Sequence, residues 1–225
     1  MITEAVTKGL NPDVKMKDSG VEWIGDIPEH WSIAKIKNIC QFNPTNKKEY
    51  DENTVVSYAP MECIRNGSLL HKEICVRNIS SGLTYFEEND IVMAKVTPCF
   101  ENGNIVIATG LKNGIAFGSS ELFVVRANEN IRRFLYYFLQ NDIFKKYAVS
   151  TMTGTGGLKR VSPTFVNNYS LAIPPTNEQQ QIADFLDKKC SAIDSAIEKK
   201  QAIIEKLKEY KKSLIYEVVT GKREV

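Results

Sequence analysis

No stretch of this 225-residue chain approaches the roughly 18 uninterrupted apolar residues that a membrane span requires. A signal-peptide core is missing as well, because Lys8, Asp13, Lys15, Lys17 and Asp18 fall within the first twenty positions. The expectation is a cytoplasmic protein with no membrane contact. Paired cysteines are also lacking. The five that occur, Cys40, Cys63, Cys75, Cys99 and Cys190, are odd in number and widely spread, with no CxxC pair and no histidines spaced for zinc. They read as buried free thiols. The two histidines, His30 and His71, lie far apart and outside any HExxH-like context, so neither suggests a metal ligand or a catalytic base.

A strong charge of one sign is absent too. With 29 Lys and Arg against 27 Asp and Glu the net charge is +2, too small to indicate a nucleic-acid partner by itself. Its distribution says more. From Ile143 to Asn177 no acidic residue occurs, while Lys145, Lys146, Lys159 and Arg160 fall inside that stretch, which implies a local positive surface.

What is present is clearest in the last third. Pro174-Pro175 ends one segment, and Thr176-Asn177-Glu178-Gln179 has the form of a capping box that opens a helix. Beyond it, Leu186, Cys190, Ile193, Ile197, Ile204, Leu207, Leu214 and Val218 recur every 3.5 residues on average, with charges filling nearly everything between. Such a period is that of a coiled-coil seam. Lys200 and Lys211 occupy two seam positions, where charge costs stability while fixing register. Gly221 supplies a stop. A helix from Thr176 to about Thr220 would run on the order of 65 Å at 1.5 Å per residue, too long for its own domain to cover. Gly, Pro and Asn interrupt every stretch between Asn11 and Pro175, so no second helix of that length is available. A partner chain is the economical way to cover the seam.

The part between, residues 18–175, reads as α+β. The segments Asp90–Val96, Asn104–Ala108, Gly114–Phe117 and Glu121–Val125 are short, apolar and bounded by turn residues, as expected of a small, mainly antiparallel sheet. Ile131, Phe134, Leu135, Phe138 and Leu139 follow helical spacing after Asn130, giving a helix with one face on that sheet. Residues 1–17 form a separate N-terminal segment. Its Met1–Thr7 echoes Leu214–Thr220, with Ile, Glu, Val and Thr in step, so either chance or a tandem repeat relates them. Residues 176–221 make the long helix, and 222–225 a tail.

Three stretches carry a resemblance: Asp18–Trp31 (DSGVEWIGDIPEHW), Asp90–Cys99 (DIVMAKVTPC) and Ile173–Gln180 (IPPTNEQQ). Over nearly its full length the chain resembles the specificity subunits of Type I restriction-modification systems. Those subunits usually carry two target-recognition domains and two long helices; this sequence has one of each. The resemblance implies a non-catalytic subunit. It also implies double-stranded DNA, a methyltransferase subunit and a translocase-endonuclease subunit as partners. S-adenosylmethionine, ATP and magnesium would belong to those partners, and no metal or cofactor is expected here. A half-length chain would complete the arrangement as a homodimer through its helix, on an interrupted and palindromic site.

Enzyme motifs fit poorly. The Asn/Asp-Pro-Pro-aromatic loop of an adenine methyltransferase is not matched by Asn43-Pro44-Thr45, nor by Pro174-Pro175 between Ile173 and Thr176. The glycine-rich stretch Gly154–Arg160 has the wrong spacing for a Walker loop, with no hydroxyl after its lysine. Its small residues nonetheless leave backbone N–H groups open to phosphate, and Lys159 and Arg160 add charge. Arg160 is alternatively a guanine reader through O6 and N7. Thr153 and Thr155 belong to the same loop. Further DNA-contact candidates, by residue type, are Arg65, Asn66, Lys95, Thr97, Glu101, Asn102, Asn104, Lys112, Asn113, Ser119 and Ser120. Trp23, Trp31, Tyr58 and Phe100 read as core. The competing function is a coiled-coil scaffold whose head binds protein.

Overall fold

The computed structural model describes residues 1–46, 48–65 and 67–222. The chain opens with α1 (Ile2–Lys8), β1 (Met16–Asp18), β2 (Asp26–Pro28), β3 (Ser32–Lys35), α2 (Ile36–Ile39) and β4 (Cys40–Phe42). Next come β5 (Val55–Ala59), β6 (Ile64–Arg65), β7 (Ser68–Leu69), β8 (Lys72–Cys75), β9 (Thr84–Glu87), β10 (Ile91–Ala94), β11 (Ile105–Ile107), β12 (Ile115–Gly118) and β13 (Leu122–Ala127). Helices α3 (Glu129–Phe138), α4 (Asp142–Ser150) and α5 (Pro163–Asn168) precede β14 (Ser170–Ile173) and α6 (Thr176–Val219). Two compact units result, residues 1–183 and residues from 184 onward.

Two four-stranded sheets organise the first unit, in the orders β11-β10-β13-β4 and β8-β5-β12-β9. All the pairs are antiparallel except β5 with β12. The expected four strands are all present. Between the sheets lies a core of Ile64, Phe86, Val92, Val106, Leu122 and Val124 with their neighbours. The reverse face of β10 and β13 is buried as well, with α3 against β13 and β11. Coverage on both faces explains why Ile91–Ala94 is a continuous apolar run rather than an alternating one. Gly118 ends β12 against β5 of its own sheet and Leu122 of the other. A Cβ there would lie 2.7 Å from the Ala59 carbonyl oxygen and 2.8 Å from Leu122 Cδ1, so no side chain fits.

Helix α3 buries Ile131, Phe134, Leu135, Tyr137 and Phe138, and α1 packs against it and against β2. The N-terminal echo is thus helical in both places, but its apolar positions differ in environment. Ala5 and Val6 are 4% and 0% exposed, whereas Val218 and Val219 are 37% and 80% exposed. Two of the stretches that carry the resemblance meet at the start of α6. Glu178 accepts from Trp31 Nε1 at 3.1 Å and contacts His30 Nε2 at 2.7 Å. The capping box does not form as expected: Gln179 N–H donates to the Pro175 carbonyl at 2.9 Å, so Pro175, which has no N–H to be capped, takes the cap position, and Gln179 Nε2 instead donates to the Pro174 carbonyl at 2.8 Å.

Residues 184–219 continue α6, and every residue from 191 to 213 is exposed. All five cysteines are partly buried, short of the full burial expected of them, and burial pushes the Cys40 thiol up to about 12. No described helix is long and apolar enough to cross a membrane.

Candidate nucleic-acid interface

The antiparallel register of β10 and β13 pairs Ala94 with Leu122, so Lys95–Thr97 leaves the sheet where Ser119–Glu121 enters it. Hydrogen bonds join the two segments. Lys95 N–H donates to the Glu121 carbonyl at 3.0 Å, and Lys95 Nζ donates to the Ser120 carbonyl at 2.6 Å. The same ammonium lies 5.7 Å from the centroid of the Phe123 ring. A charge inside an apolar run is thereby satisfied locally, without a buried carboxylate.

The glycine-rich loop closes onto this corner. Thr153 and Arg160 exchange backbone hydrogen bonds of 2.8 and 3.1 Å, making residues 154–159 a closed loop. Thr97 N–H donates to the Lys159 carbonyl at 2.9 Å, and Val161 N–H donates to the Lys95 carbonyl at 2.9 Å. Thr97 Oγ1 locks the middle, donating to the Gly157 carbonyl at 2.6 Å and accepting from Lys159 N–H at 3.0 Å. Residues 153–160 are all exposed, Leu158 by 55%.

Eight expected site residues come together here: Lys95, Thr97, Ser119, Ser120, Thr153, Thr155, Lys159 and Arg160. Asn102 is exposed on the turn that follows Thr97. Asn104 is 6% exposed, and its carbonyl accepts from Ala94 N–H at 2.9 Å, so it belongs to the fold more than to the surface. Arg65 is exposed on the β6–β7 hairpin, which reaches β11 through Gly67 N–H to the Ile105 carbonyl at 2.9 Å. Asn66 lies outside the described residues. Lys112 and Asn113 are elsewhere, before β12, where Lys112 pairs with Glu73 and Asn113 Nδ2 donates to the Val55 carbonyl.

Residue-type reasoning missed Glu121. Its carboxylate takes Arg160 side-on, Nε to Oε2 at 2.8 Å and Nη2 to Oε1 at 2.7 Å. The hydrogen bond from Arg160 holds the Glu121 carboxyl below its ordinary value, against the opposing pull of burial. The same pairing raises the Arg160 guanidinium. An acid closing onto the stretch that itself holds no acids was a signal available only once the β10–β13 register was known. Among the described residues no group of three or more His, Cys, Asp or Glu side chains is placed to hold a metal.

The family model described as the Type I restriction modification DNA specificity domain matches residues 28–209. The chain belongs to that family. This specificity domain is 36% identical over 162 residues to the Type I restriction enzyme EcoAI specificity subunit of Escherichia coli, covering 70% of the chain and 27% of that protein. To the MjaVIII specificity subunit of Methanocaldococcus jannaschii it is 24% identical over 238 residues, covering 99% of the chain and 52% of the relative. The specificity domain therefore spans between about a quarter and half of these relatives' length. Among solved structures, the HsdS subunit from Thermoanaerobacter tengcongensis superimposes with a TM-score of 0.61 at 22% identity, over 75% of this chain and 44% of that one. A chain from a structural study of complex assembly and conformational transition in the type I R-M system gives 0.62 at 16% identity, over 90% and 48%. Both likenesses agree with the mixed α and β fold and long C-terminal helix found here.

Proposed function

We propose that the specificity domain reads double-stranded DNA without catalysing any reaction on it, using the corner built from residues 95–97, 119–121 and 153–160. The observation that carries this reading is the convergence of those three segments at one corner, where the exposed loop 153–160 comes from a stretch free of acidic residues from 143 to 177. Lys159 is an exposed cation within exposed loop backbone, the combination that phosphate contacts require. Two copies joined through α6 would place two such surfaces on one duplex and form the platform for a methyltransferase subunit and, for cleavage, a translocase-endonuclease subunit. Any cofactor would come with those partners, and the cytoplasm is the place of action.

Gel-shift titrations across a range of salt test the reading. Wild-type binding to duplex DNA should fall steeply with salt, through release of counterions from the phosphates. Lys159→Glu should weaken binding on every sequence and lower the salt slope by about one. Failure of the chain to bind any duplex even together with its methyltransferase subunit would instead favour a scaffold whose head binds protein.

A further inference from the structure

We infer that Glu121 is a positioning residue for base reading: it clamps Arg160 side-on so that the free end-on edge of the guanidinium faces a guanine. The inference rests on the DNA-reading role proposed above. A guanidinium offers two bidentate edges, Nε with Nη2 and Nη1 with Nη2. Glu121 occupies the first of them with bonds of 2.8 and 2.7 Å. On the second, Nη1 makes a long 3.5 Å contact with the Leu158 carbonyl, and the Arg160 side chain is 45% exposed. A planar acceptor pair approaching from solvent therefore meets an edge that is already oriented.

Both ends of the clamp are fixed by backbone. Glu121 N–H donates to Ser119 Oγ at 3.2 Å and its carbonyl accepts from Lys95, one residue before β13 begins. Arg160 is held in bridges with Val96 and Thr153. An arginine immobilised before DNA arrives loses less freedom on binding than a lone surface arginine. Charge decides between the two acceptors that DNA offers. Pairing with Glu121 cancels most of the field of Arg160, which weakens it as a phosphate ligand while leaving its donors intact for the neutral O6 and N7 of guanine. Phosphate has the exposed Lys159 beside it, which makes no ion pair among the described residues.

The test is selection of bound duplexes from a random-sequence library by the full chain with its methyltransferase subunit, comparing the parent with Arg160→Lys and Glu121→Gln. The parent should select a guanine at one fixed position. Arg160→Lys keeps the charge and removes the fork, so preference at that position should fall about ten- to a hundred-fold with the salt slope unchanged. Glu121→Gln should relax the same position and no other. Loss of affinity spread evenly over all sequences in Arg160→Lys would make Arg160 a phosphate contact and overturn the inference. An intact guanine preference in Glu121→Gln would overturn the positioning role. A parent that binds DNA while both variants select the same site would sink this inference and leave the proposed function standing. A parent that binds no DNA removes both.

Discussion

Glu121 and Arg160 stand 39 positions apart and meet only because β13 enters the sheet where β10 leaves it. Residue type predicted Arg160 and Lys95 as site members, but their partners are set by strand register, which no local pattern encodes. The same limit hid the pair Arg126–Asp90, in which the 2%-exposed Asp90 takes Arg126 through bonds of 2.8 and 2.7 Å. For Glu121 the pairing has a measurable sign. Its folded-state carboxyl lies below the ordinary glutamate value of 4.5, chiefly through the Arg160 hydrogen bond. A depressed acid contributes stability that is fully present above its unfolded value and is lost as pH falls through the folded one. Carbon-13 NMR of the Glu121 side-chain carboxyl should therefore show a midpoint below 4.5 in the parent, moving upward in Arg160→Lys. A parent midpoint at or above 4.5 would mean that the clamp does not form in solution.

Elements were legible where burial is strong and periodic. The runs that became β10, β11, β12 and β13 are apolar enough to be read directly, and the spacing within α3 declares its buried face. Helices α4 and α5 were not read, since their nine and six residues give too few turns for a stripe. Their caps were nevertheless in the sequence: Asn141 Oδ1 accepts from Phe144 N–H at 2.8 Å and Ser162 Oγ from Phe165 N–H at 3.3 Å. The glycine-rich loop was visible as composition, while its shape depends on a contact to distant Thr97. Gly154 is the residue that shape cannot replace. Its φ is 139°, and a Cβ would fall 2.3 Å from the Leu158 carbonyl oxygen, a backbone atom that cannot swing away. Gly154→Ala should open the loop without unfolding the sheets. Hydrogen exchange at Lys159 N–H, now held by Thr97 Oγ1, should quicken about tenfold or more, tenfold being about 1.4 kcal/mol. Unchanged protection there would show that the loop is held by something other than this turn.

On the scale of the whole molecule, the long helix was readable almost to the residue, from Thr176 to Val219, because one 3.5-residue period runs through it. The stripe divides in two. Leu186 is already buried within the single chain, and Cys190 and Leu214 are partly exposed. Ile193, Ile197, Ile204 and Leu207 are 50%, 59%, 45% and 60% exposed, a row of large aliphatic side chains left in water. Burying each is worth about 1.5–3 kcal/mol, so a second copy laid against the row gains from both sides of the seam. Replacing Ile197 and Ile204 together with Asp sets four carboxylates into that seam in a paired molecule. If α6 pairs two copies, sedimentation should report two chains in the parent and single chains in the double variant, while the melting of the sheet unit stays as it was. A double variant that still sediments as a dimer would place the interface elsewhere. If the pairing is two-fold, each half of the DNA target meets the same surface, so adenines methylated in the presence of this dimer must map to an interrupted palindrome. An asymmetric motif from a demonstrated homodimer would rule out the two-fold arrangement, because identical reading surfaces related by that axis have no means of preferring different half-sites.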